Sequence, residues 1–195
     1  MRAFFAAVLL AVSAPLLQGC FPLAAVGVGA TALALDDRRS TGMYIEDENV
    51  EWKARARLID KDKYKDAHVN VTSYNLTVLL TGEVPTEDMK KDIGEAIRAI
   101  PNVRGIHNEV VIGGNSSLTS RSSDTIITTN VKARLINNGK VSPNHVKVVT
   151  ESSVVYLMGI VTREESEAAS DIARTTSGVS RVVKVFEIID KAPEK

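Results

Sequence analysis

The heptapeptide VLLTGEV at residues 78–84 returns as VYLMGIV at residues 155–161, which is 77 positions further along the chain. The same offset brings HVNV at residues 68–71 onto HVKV at residues 145–148, and the two copies align without a gap over residues 56–87. A repeat of this length indicates tandem domains rather than a solenoid of short units. The sequence therefore predicts one folding unit of about seventy residues that is present twice.

Each copy predicts the element order helix, strand, strand, helix, strand. Val50, Ala54 and Leu58 repeat every four residues, which is the spacing of the buried stripe of a helix. Thr162 and Glu165 have the spacing of a capping box, which predicts the start of the second helix in the second copy. Each copy is thus expected to combine two helices with three strands, of which the first two are adjacent in sequence.

The strands of each copy are marked by β-branched residues and by the turns between them. Alternating valines at 69–71 and the apolar run at 78–80 predict a hairpin with its turn at residues 73–75. The last strand of the first copy is expected at residues 103–112, and that of the second copy at residues 181–189.

The first nineteen residues have the pattern of a secretory signal peptide. Residues 3–17 are almost wholly apolar after a positive start, but such a helix, about 22 Å long, is too short for a hydrocarbon core of about 30 Å. The segment ends in LLQGC at residues 16–20, which resembles the lipobox of bacterial lipoproteins, where the cysteine is acylated and becomes the first residue after cleavage. Cys20 is therefore the predicted lipidation site. An ordinary signal peptide with an incidental cysteine is the alternative.

The residues after Cys20 predict where the anchor lies. Phe21 stands where an aspartate is associated with inner-membrane retention in enteric bacteria, so the resemblance implies the periplasmic face of the outer membrane. Residues 21–35 are rich in alanine and glycine, which predicts a tether, and the charged residues 36–39 are expected to mark its exit into water. The Gly- and Ser-rich residues 113–123 predict a flexible linker between the copies.

We therefore expect six segments along the chain. They are a signal peptide at residues 1–19, the acylated cysteine and tether at 20–44, the first domain at 45–113, a linker at 114–122, the second domain at 123–190 and a tail at 191–195.

The composition excludes several classes of function. The chain has 24 basic and 24 acidic residues and a net charge of zero, which argues against nucleic-acid binding. One cysteine and three histidines argue against an internal disulfide, a thiolate cluster or a His-rich metal site, so neither a metal nor a cofactor is predicted. His68 and His145 are equivalent in the repeat, which indicates a shared structural hydrogen bond. No nucleophile and base stand in motif spacing, so we predict that the protein is not an enzyme.

The tandem unit, with a glycine near the end of its second strand, resembles the BON domain. The closest local matches are DTIITTNVK at residues 124–132, VKVVTE at 146–151, LMG at 157–159 and GVSRV at 178–182. The resemblance implies an α+β fold of two tandem BON domains, each αββαβ with a three-stranded mixed sheet packed against two helices. It also implies binding of anionic phospholipid and support of outer-membrane integrity.

The two copies differ in charge. Residues 45–113 contain 13 acidic and 10 basic residues, a net charge of −3, whereas residues 121–189 contain 9 basic and 7 acidic residues, a net charge of +2. Each basic residue near an anionic bilayer contributes about 1 kcal/mol to binding. The second copy therefore has the sign that favours phosphatidylglycerol or cardiolipin.

The first helix of the second copy has an extra hydrophobic residue, Ile126. It matches polar Asn49 of the first copy, so it is expected to project outward from the core. At about 100° per residue, one outer face and its two flanks contain the predicted lipid-binding residues: Ile126, Asn130, Ala133 and Asn137, flanked by Thr129 and Arg134. The BON resemblance implies lipid contact through this helix. The alternative is a solvated helix face with one stray apolar residue.

Two functions are consistent with these observations. The first is an outer-membrane lipoprotein that binds anionic phospholipid through the second domain and supports envelope integrity, at sites such as the division septum. The second is a periplasmic adaptor that docks an envelope protein for assembly or cell-wall synthesis. Trp52, which replaces Thr129 in the first copy, is the candidate contact for that protein partner.

Overall fold

The structure is a computed structural model that describes residues 37–59, 62–114 and 116–192. The predicted signal peptide, the lipidation site Cys20 and the tether up to residue 36 lie outside the described residues. Among the helices that are described, none combines the length and the apolar character needed to cross a bilayer.

The first domain begins with helix α1 (Thr41–Ile59), so the last four residues of the predicted tether are helical. The other elements are a 3₁₀ turn (Asp62–Tyr64), strands β1 (His68–Tyr74) and β2 (Thr77–Val84), helix α2 (Glu87–Arg98), and strands β3 (Gly105–Asn108) and β4 (Val111–Ile112). Strand β2 lies in the middle, antiparallel to β1 and parallel to both β3 and β4. The sheet is therefore mixed, as predicted.

The second domain repeats this arrangement. It contains α3 (Leu118–Asn138), a 3₁₀ turn (Pro143–His145), β5 (Val146–Glu151), β6 (Val154–Thr162), α4 (Arg163–Arg174) and β7 (Arg181–Ile189). Strand β6 pairs antiparallel with β5 and parallel with β7. The predicted last strand at 181–189 and the capping box of Thr162 and Glu165 are confirmed. Helix α3 starts five residues before the predicted second domain, so residues 118–122 are helical rather than linker.

The last strand of the first domain differs from the predicted continuous strand at 103–112. The strand breaks between Asn108 and Val111, and the side chain of Asn108 accepts a hydrogen bond from the amide of Val110 across the break. Val110 is buried in the core of the domain. The break thus lets the chain place Val110 inward while both short strands still pair with β2.

The β1–β2 turn lies one residue later than predicted. Asn75 and Leu76 occupy its centre with φ values of 51° and 64°, and their repeat equivalents Ser152 and Ser153 have φ values of 50° and 63°. Two consecutive left-handed residues form the tight turn that suits the right-handed twist of a hairpin. The same strained turn therefore occurs in both domains.

Each domain covers one face of its sheet with its two helices, and the uncovered faces pack against each other. A third core cluster contains Tyr74 and Leu79 from the first domain together with Tyr156, Met158 and Val185 from the second. Neighbouring residues on a strand point to opposite faces, so Leu79 lies in this cluster whereas Val78 and Leu80 lie in the core of the first domain. The described residues thus form four layers, in the order helices, sheet, sheet, helices.

Polar contacts join the two domains around this third cluster. The ammonium of Lys147 lies 2.9 Å from Glu51 of the first domain. Asn70 donates a hydrogen bond of 2.8 Å to Glu151, and Asn75 donates one of 2.6 Å to Glu187. The domains are therefore fixed against each other by both apolar and polar contacts.

Among the charged residues before α1 that the structure describes, the side chains of Arg38 and Arg39 are largely buried, which corrects the expectation of an exposed exit from the tether. The guanidinium of Arg38 donates to Glu165 at 2.6 Å and to the carbonyl of Ile160, both in the second domain. Arg39 pairs with Asp47 at 2.9 Å, and its side chain is buried over the ring of Tyr74. Buried guanidinium groups need such partners because unpaired buried charge is costly. The chain that enters α1 is consequently held against both domains.

Candidate functional site

Helix α3 is held on the outside of the second domain by its buried stripe. Ile127, Val131 and Leu135 all lie in the core, as the repeat predicted. Ser117 caps the start of the helix by accepting a hydrogen bond from the amide of Ser120, and Gly139 ends it in the left-handed conformation. The burial of one stripe fixes which residues of α3 point away from the core.

The predicted outer face of α3 is exposed. Ile126 exposes 62% of its surface, and the other members are exposed as well: Thr129, Asn130, Ala133 and Asn137. We call these five residues the α3 outer face. It consists of one isoleucine surrounded by small uncharged side chains.

Arg134, the sixth predicted lipid-binding residue, is engaged in the fold. Its guanidinium donates to the carbonyl of Ile172 at 2.8 Å and to the hydroxyls of Thr176 and Thr175 at 2.7 and 2.9 Å. In the first domain the equivalent Arg57 donates to the carbonyl of Ala96, at the end of α2. A cation at the C-terminus of a helix satisfies carbonyls that have no partner within the helix. Arg134 therefore holds α3 against α4.

The cation that is available beside the outer face is Lys132. It is exposed, and among the described residues it has no carboxylate within ion-pair distance. Ile136 on the same side of α3 is a second exposed isoleucine. Neither residue was predicted, although the repeat carries one signal: Ile136 is equivalent to Ile59 of α1, which is also exposed. The exposed surface of α3 therefore includes a lysine and a second isoleucine beyond the residues that the sequence predicted.

A cleft separates α3 from strand β1 of the first domain. It has a volume of about 580 Å³, and Lys132, Thr125 and Thr129 line one side while His68 and Asn70 line the other. The hydroxyl of Thr129 donates to the carbonyl of Thr125 at 2.9 Å, so its proton is used within the helix. The residues that line the cleft are polar or charged, and the cleft lies beside the α3 outer face.

Glu151 also lines the cleft, and its carboxyl group has a raised pKa. Burial raises its pKa, the hydrogen bond from Asn70 opposes that effect, and the neighbouring carboxylate of Glu83 raises the pKa further. Glu83 is itself buried and lies 3.1 Å from Nδ1 of His68. Sequence reasoning missed Glu83 and Glu151 because they come from different domains.

At their Nδ1 atoms the two equivalent histidines face different carboxylates, which differs from the predicted common hydrogen bond. His68 contacts Glu83 on the neighbouring strand, whereas Nδ1 of His145 lies 3.7 Å from Glu165 on α4. The position equivalent to Glu83 is Ile160, so the partner of His68 has no counterpart in the second domain. The histidines share a backbone position but contact different carboxylates.

Helix α1 presents a different surface. Trp52 exposes 71% of its surface, and Ile45 and Ile59, seven residues before and after it, are exposed by 55% and 85%. Seven residues make about two helical turns, so the three side chains lie along one line of the helix. We call them the α1 stripe. The exposure of Trp52 is the observation that the adaptor hypothesis needs.

The two copies of the repeat match one known domain family. The model of the BON domain matches residues 46–114 and again residues 123–190. The chain belongs to the BON-domain family. It carries two BON domains, and its α+β fold with two mixed sheets agrees with the fold that the resemblance implied.

Three relatives show how far this similarity extends. The outer membrane lipoprotein DolP of Haemophilus influenzae is 38% identical over 177 residues, which cover 89% of this chain and 91% of the relative. A 21 kDa hemolysin of Actinobacillus pleuropneumoniae is 33% identical, with 78% and 79% covered. The osmotically-inducible protein Y of Escherichia coli is 27% identical, with 72% of each chain covered. The chain is thus a BON-family protein similar to DolP along most of its length.

Proposed function

We propose that this BON protein is a non-enzymatic lipoprotein on the periplasmic face of the outer membrane, anchored through acyl chains on Cys20, and that its α3 outer face binds anionic phospholipid. The anchor is supported by the single cysteine at the end of an apolar leader and by the similarity to an outer membrane lipoprotein. The binding surface is supported chiefly by the exposure of Ile126 on a face without acidic residues.

The shape of the α3 outer face suits shallow insertion between headgroups. Asn130, Ala133 and Asn137 are small, so the backbone of α3 can approach a bilayer closely while Ile126 enters the boundary of the acyl chains. Burying a whole isoleucine side chain contributes about 1.5–3 kcal/mol. Because Ile126 is already partly buried in the protein, about 1–2 kcal/mol is available for membrane contact.

The charges near this face favour an anionic surface. Lys132 is unpaired among the described residues, and Lys140 follows the C-terminal end of α3, exposed to solvent. Each contributes about 1 kcal/mol near an anionic leaflet. Arg134 supports the surface indirectly, because it fixes α3 on α4. We expect phosphatidylglycerol and cardiolipin to bind through their phosphates to the lysines and the asparagine amides.

A weak second contact becomes effective once the chain is anchored. Acyl chains alone attach a protein without selecting lipids, whereas two membrane contacts act together at high effective concentration. The α3 outer face would then concentrate the anchored protein where anionic lipids are abundant. We propose that this selection underlies a role in outer-membrane integrity, including at the division site.

The Ile126→Asn variant tests the proposal. We expect it to weaken binding to phosphatidylglycerol vesicles about tenfold, since the loss of about 1–2 kcal/mol corresponds to that factor. The measurement is vesicle co-sedimentation of the mature chain from residue 20 carrying Cys20→Ser, which removes the acyl contribution. The matched control is Ile59→Asn, because Ile59 is an even more exposed isoleucine on the equivalent helix of the first domain. Equal losses in the two variants, or equal binding to phosphatidylcholine vesicles, would contradict the assignment to α3.

The adaptor function is favoured by one observation, the α1 stripe. Its three large apolar side chains are all at least half exposed, and the first domain has the charge that an anionic membrane repels. Exposed apolar lines of this kind on a polar helix are typical of protein contacts. In this function the stripe docks an envelope protein while α3 faces the membrane.

Trp52 is the only tryptophan of the chain, so its fluorescence separates the two surfaces. If α3 binds lipid, saturating phosphatidylglycerol vesicles leave the emission maximum of Trp52 unchanged. A blue shift on binding would instead place the α1 stripe in the bilayer.

For the adaptor function, a photo-crosslinker at the exposed position Ala56 is expected to give a defined adduct in intact cells, and Trp52→Ala is expected to remove it. An adduct that persists in Trp52→Ala would count against docking on the stripe.

A further inference from the structure

Three potential metal-ligating side chains meet between the two BON domains, next to the cleft. His68 and Glu83 face each other across strands β1 and β2, and Glu151 comes from the end of β5 in the second domain. One ligand atom from each residue lies within 4.8 Å of the other two, and Nδ1 of His68 lies 3.1 Å from Oε2 of Glu83. This group, which we call the interdomain triad, has no role in the proposed lipid contact.

The charge of the interdomain triad is not balanced by the protein. Glu83 and Glu151 are only 4% and 8% exposed. Within the described residues, no lysine or arginine forms an ion pair with either carboxylate, and His68 is the one basic partner of Glu83. When both carboxylates are ionised, one imidazolium balances only one of the two negative charges. Uncompensated buried charge is costly, so the site favours an added cation.

The second domain shows how the same problem is solved with a protein cation. There, His145 lies near Glu165, and the guanidinium of Arg38 binds that carboxylate at 2.6 Å. The interdomain triad contains one more carboxylate than this group, and none of the described residues supplies an arginine to it. Two equivalent histidines in one chain thus face different numbers of carboxylates, and among the described residues only the second group includes an arginine.

The surroundings of the interdomain triad also suit a metal ion. Asn70 donates a hydrogen bond of 2.8 Å to Glu151, which fixes the orientation of that carboxylate. Such outer contacts orient the ligands in metal sites. His68 and Glu151 also line the cleft beside α3, so an ion can reach the site from solvent. The site therefore combines ordered ligands with access.

We propose that His68, Glu83 and Glu151 bind a divalent transition-metal cation, with Zn²⁺ as the best match, and that this cation joins the two BON domains. Zn²⁺ accepts imidazole nitrogen and carboxylate oxygen at about 2.0–2.2 Å, which places tetrahedral ligands about 3.3 Å apart. The observed separations of 3.1 Å to at most 4.8 Å reach that value with small side-chain movements. Ca²⁺ and Mg²⁺ prefer ligand sets made of oxygen, which the imidazole does not fit. Water completes the fourth position.

The consequence of this site is a link between the domains. His68 and Glu83 belong to the first sheet, and Glu151 belongs to the second, so one ion ties β1 and β2 to β5. Binding to the folded state stabilises it in proportion to occupancy. The ion would thus hold α3 and α1 in a fixed relative position.

Calorimetric titration of Zn²⁺ into the metal-free mature chain with Cys20→Ser tests the proposal, and the substitution removes the only thiol that could bind zinc elsewhere. We expect one ion per chain, and at least about tenfold weaker binding in both Glu151→Gln and His68→Asn. The matched control is His107→Asn, an exposed histidine on β3, which is expected to bind as the parent does. We also expect Zn²⁺ to raise the thermal midpoint of the parent and not that of Glu151→Gln.

X-ray absorption spectroscopy of the zinc-loaded parent identifies the ligands of the ion directly. It therefore tests the proposal even if a variant does not fold. One imidazole with oxygen ligands is the expected first shell. More than one imidazole, or unchanged affinity in Glu151→Gln, would mean adventitious surface binding and would overturn the proposal. The absence of binding at millimolar Zn²⁺ would overturn it as well, and would mean that protons balance the buried carboxylates.

Discussion

Replacing Gly159 with alanine is expected to lower the free energy of unfolding by about 3 kcal/mol or more. Gly159 pairs with Val146 across β5 and β6, and a β-carbon at this position would collide with the carbonyl oxygen of His145. The obstacle is backbone, so it cannot rotate away as a side chain could. Strand β5 must shift, and the core contacts beneath α3 shift with it.

Thermal unfolding of the Gly159→Ala protein measures this effect. For a folded unit of this size, a loss of about 3 kcal/mol corresponds to a fall in the midpoint of about 6–12 °C. Gly113→Ala is the matched control, because nothing lies within 4 Å of a β-carbon at Gly113. Gly82→Ala is expected to behave like Gly159→Ala, since the carbonyl of His68 occupies the equivalent place and Gly82 has a φ of 112°. A midpoint for Gly159→Ala that matches the control would refute the close approach of the two strands.

Replacing Asp47 with alanine is expected to cost about 3–5 kcal/mol. The buried carboxylate of Asp47 accepts hydrogen bonds from the amides of Asn75 and Leu76 at 2.9 and 2.8 Å, and from the hydroxyl of Ser73 at 2.7 Å. It also pairs with Arg39 at 2.9 Å. Its removal leaves a buried guanidinium, a buried hydroxyl and two turn amides without that partner.

Urea unfolding measures the loss of stability in three variants and ranks them: Asp47→Ala, Asp124→Ala and Glu48→Ala. Asp124 is the repeat equivalent of Asp47, but among the described residues it accepts hydrogen bonds from the turn amides of Ser152 and Ser153 and pairs with no arginine, so we expect an intermediate loss of about 1–3 kcal/mol. Glu48 is exposed, and its substitution is expected to change stability by less than about 0.5 kcal/mol. A larger loss for Asp124→Ala than for Asp47→Ala would show that the Arg39 pair contributes nothing.

Asp47 also shows what a sequence pattern does not reveal. An acidic run such as residues 46–48 is typical of the N-terminus of a helix, yet α1 starts at Thr41 and Asp47 instead supports the β1–β2 turn. The repeat contains the clue, since Asp47 and Asp124 are 77 residues apart and occupy equivalent positions in two copies whose net charges differ. A residue that both copies keep at a buried position next to a strained turn is a structural residue.

The α3 outer face was predictable because it depends on a local rule. Once Ile127, Val131 and Leu135 were placed in the core, the helical period determined that Ile126 and Asn130 project outward, and they are exposed. The role of Arg134 was not predictable in the same way. Helical period gives the direction of a side chain at its base, but the long arginine side chain reaches Ile172 on another helix.

The sequence by itself determined the repeat, the order of elements, the core stripes and the ends of helices such as the one capped by Thr162 and Glu165, because these follow from local spacing and backbone chemistry. The tertiary structure alone decided how the domains meet. Tyr74 and Tyr156 share a core, Arg38 reaches Glu165, and Glu151 joins His68 and Glu83. These partners are 68 or more residues apart, and no local period records which faces of two sheets come together. The proposed metal site lies at that junction, where both domains contribute charge and neither copy alone contains the ligand set.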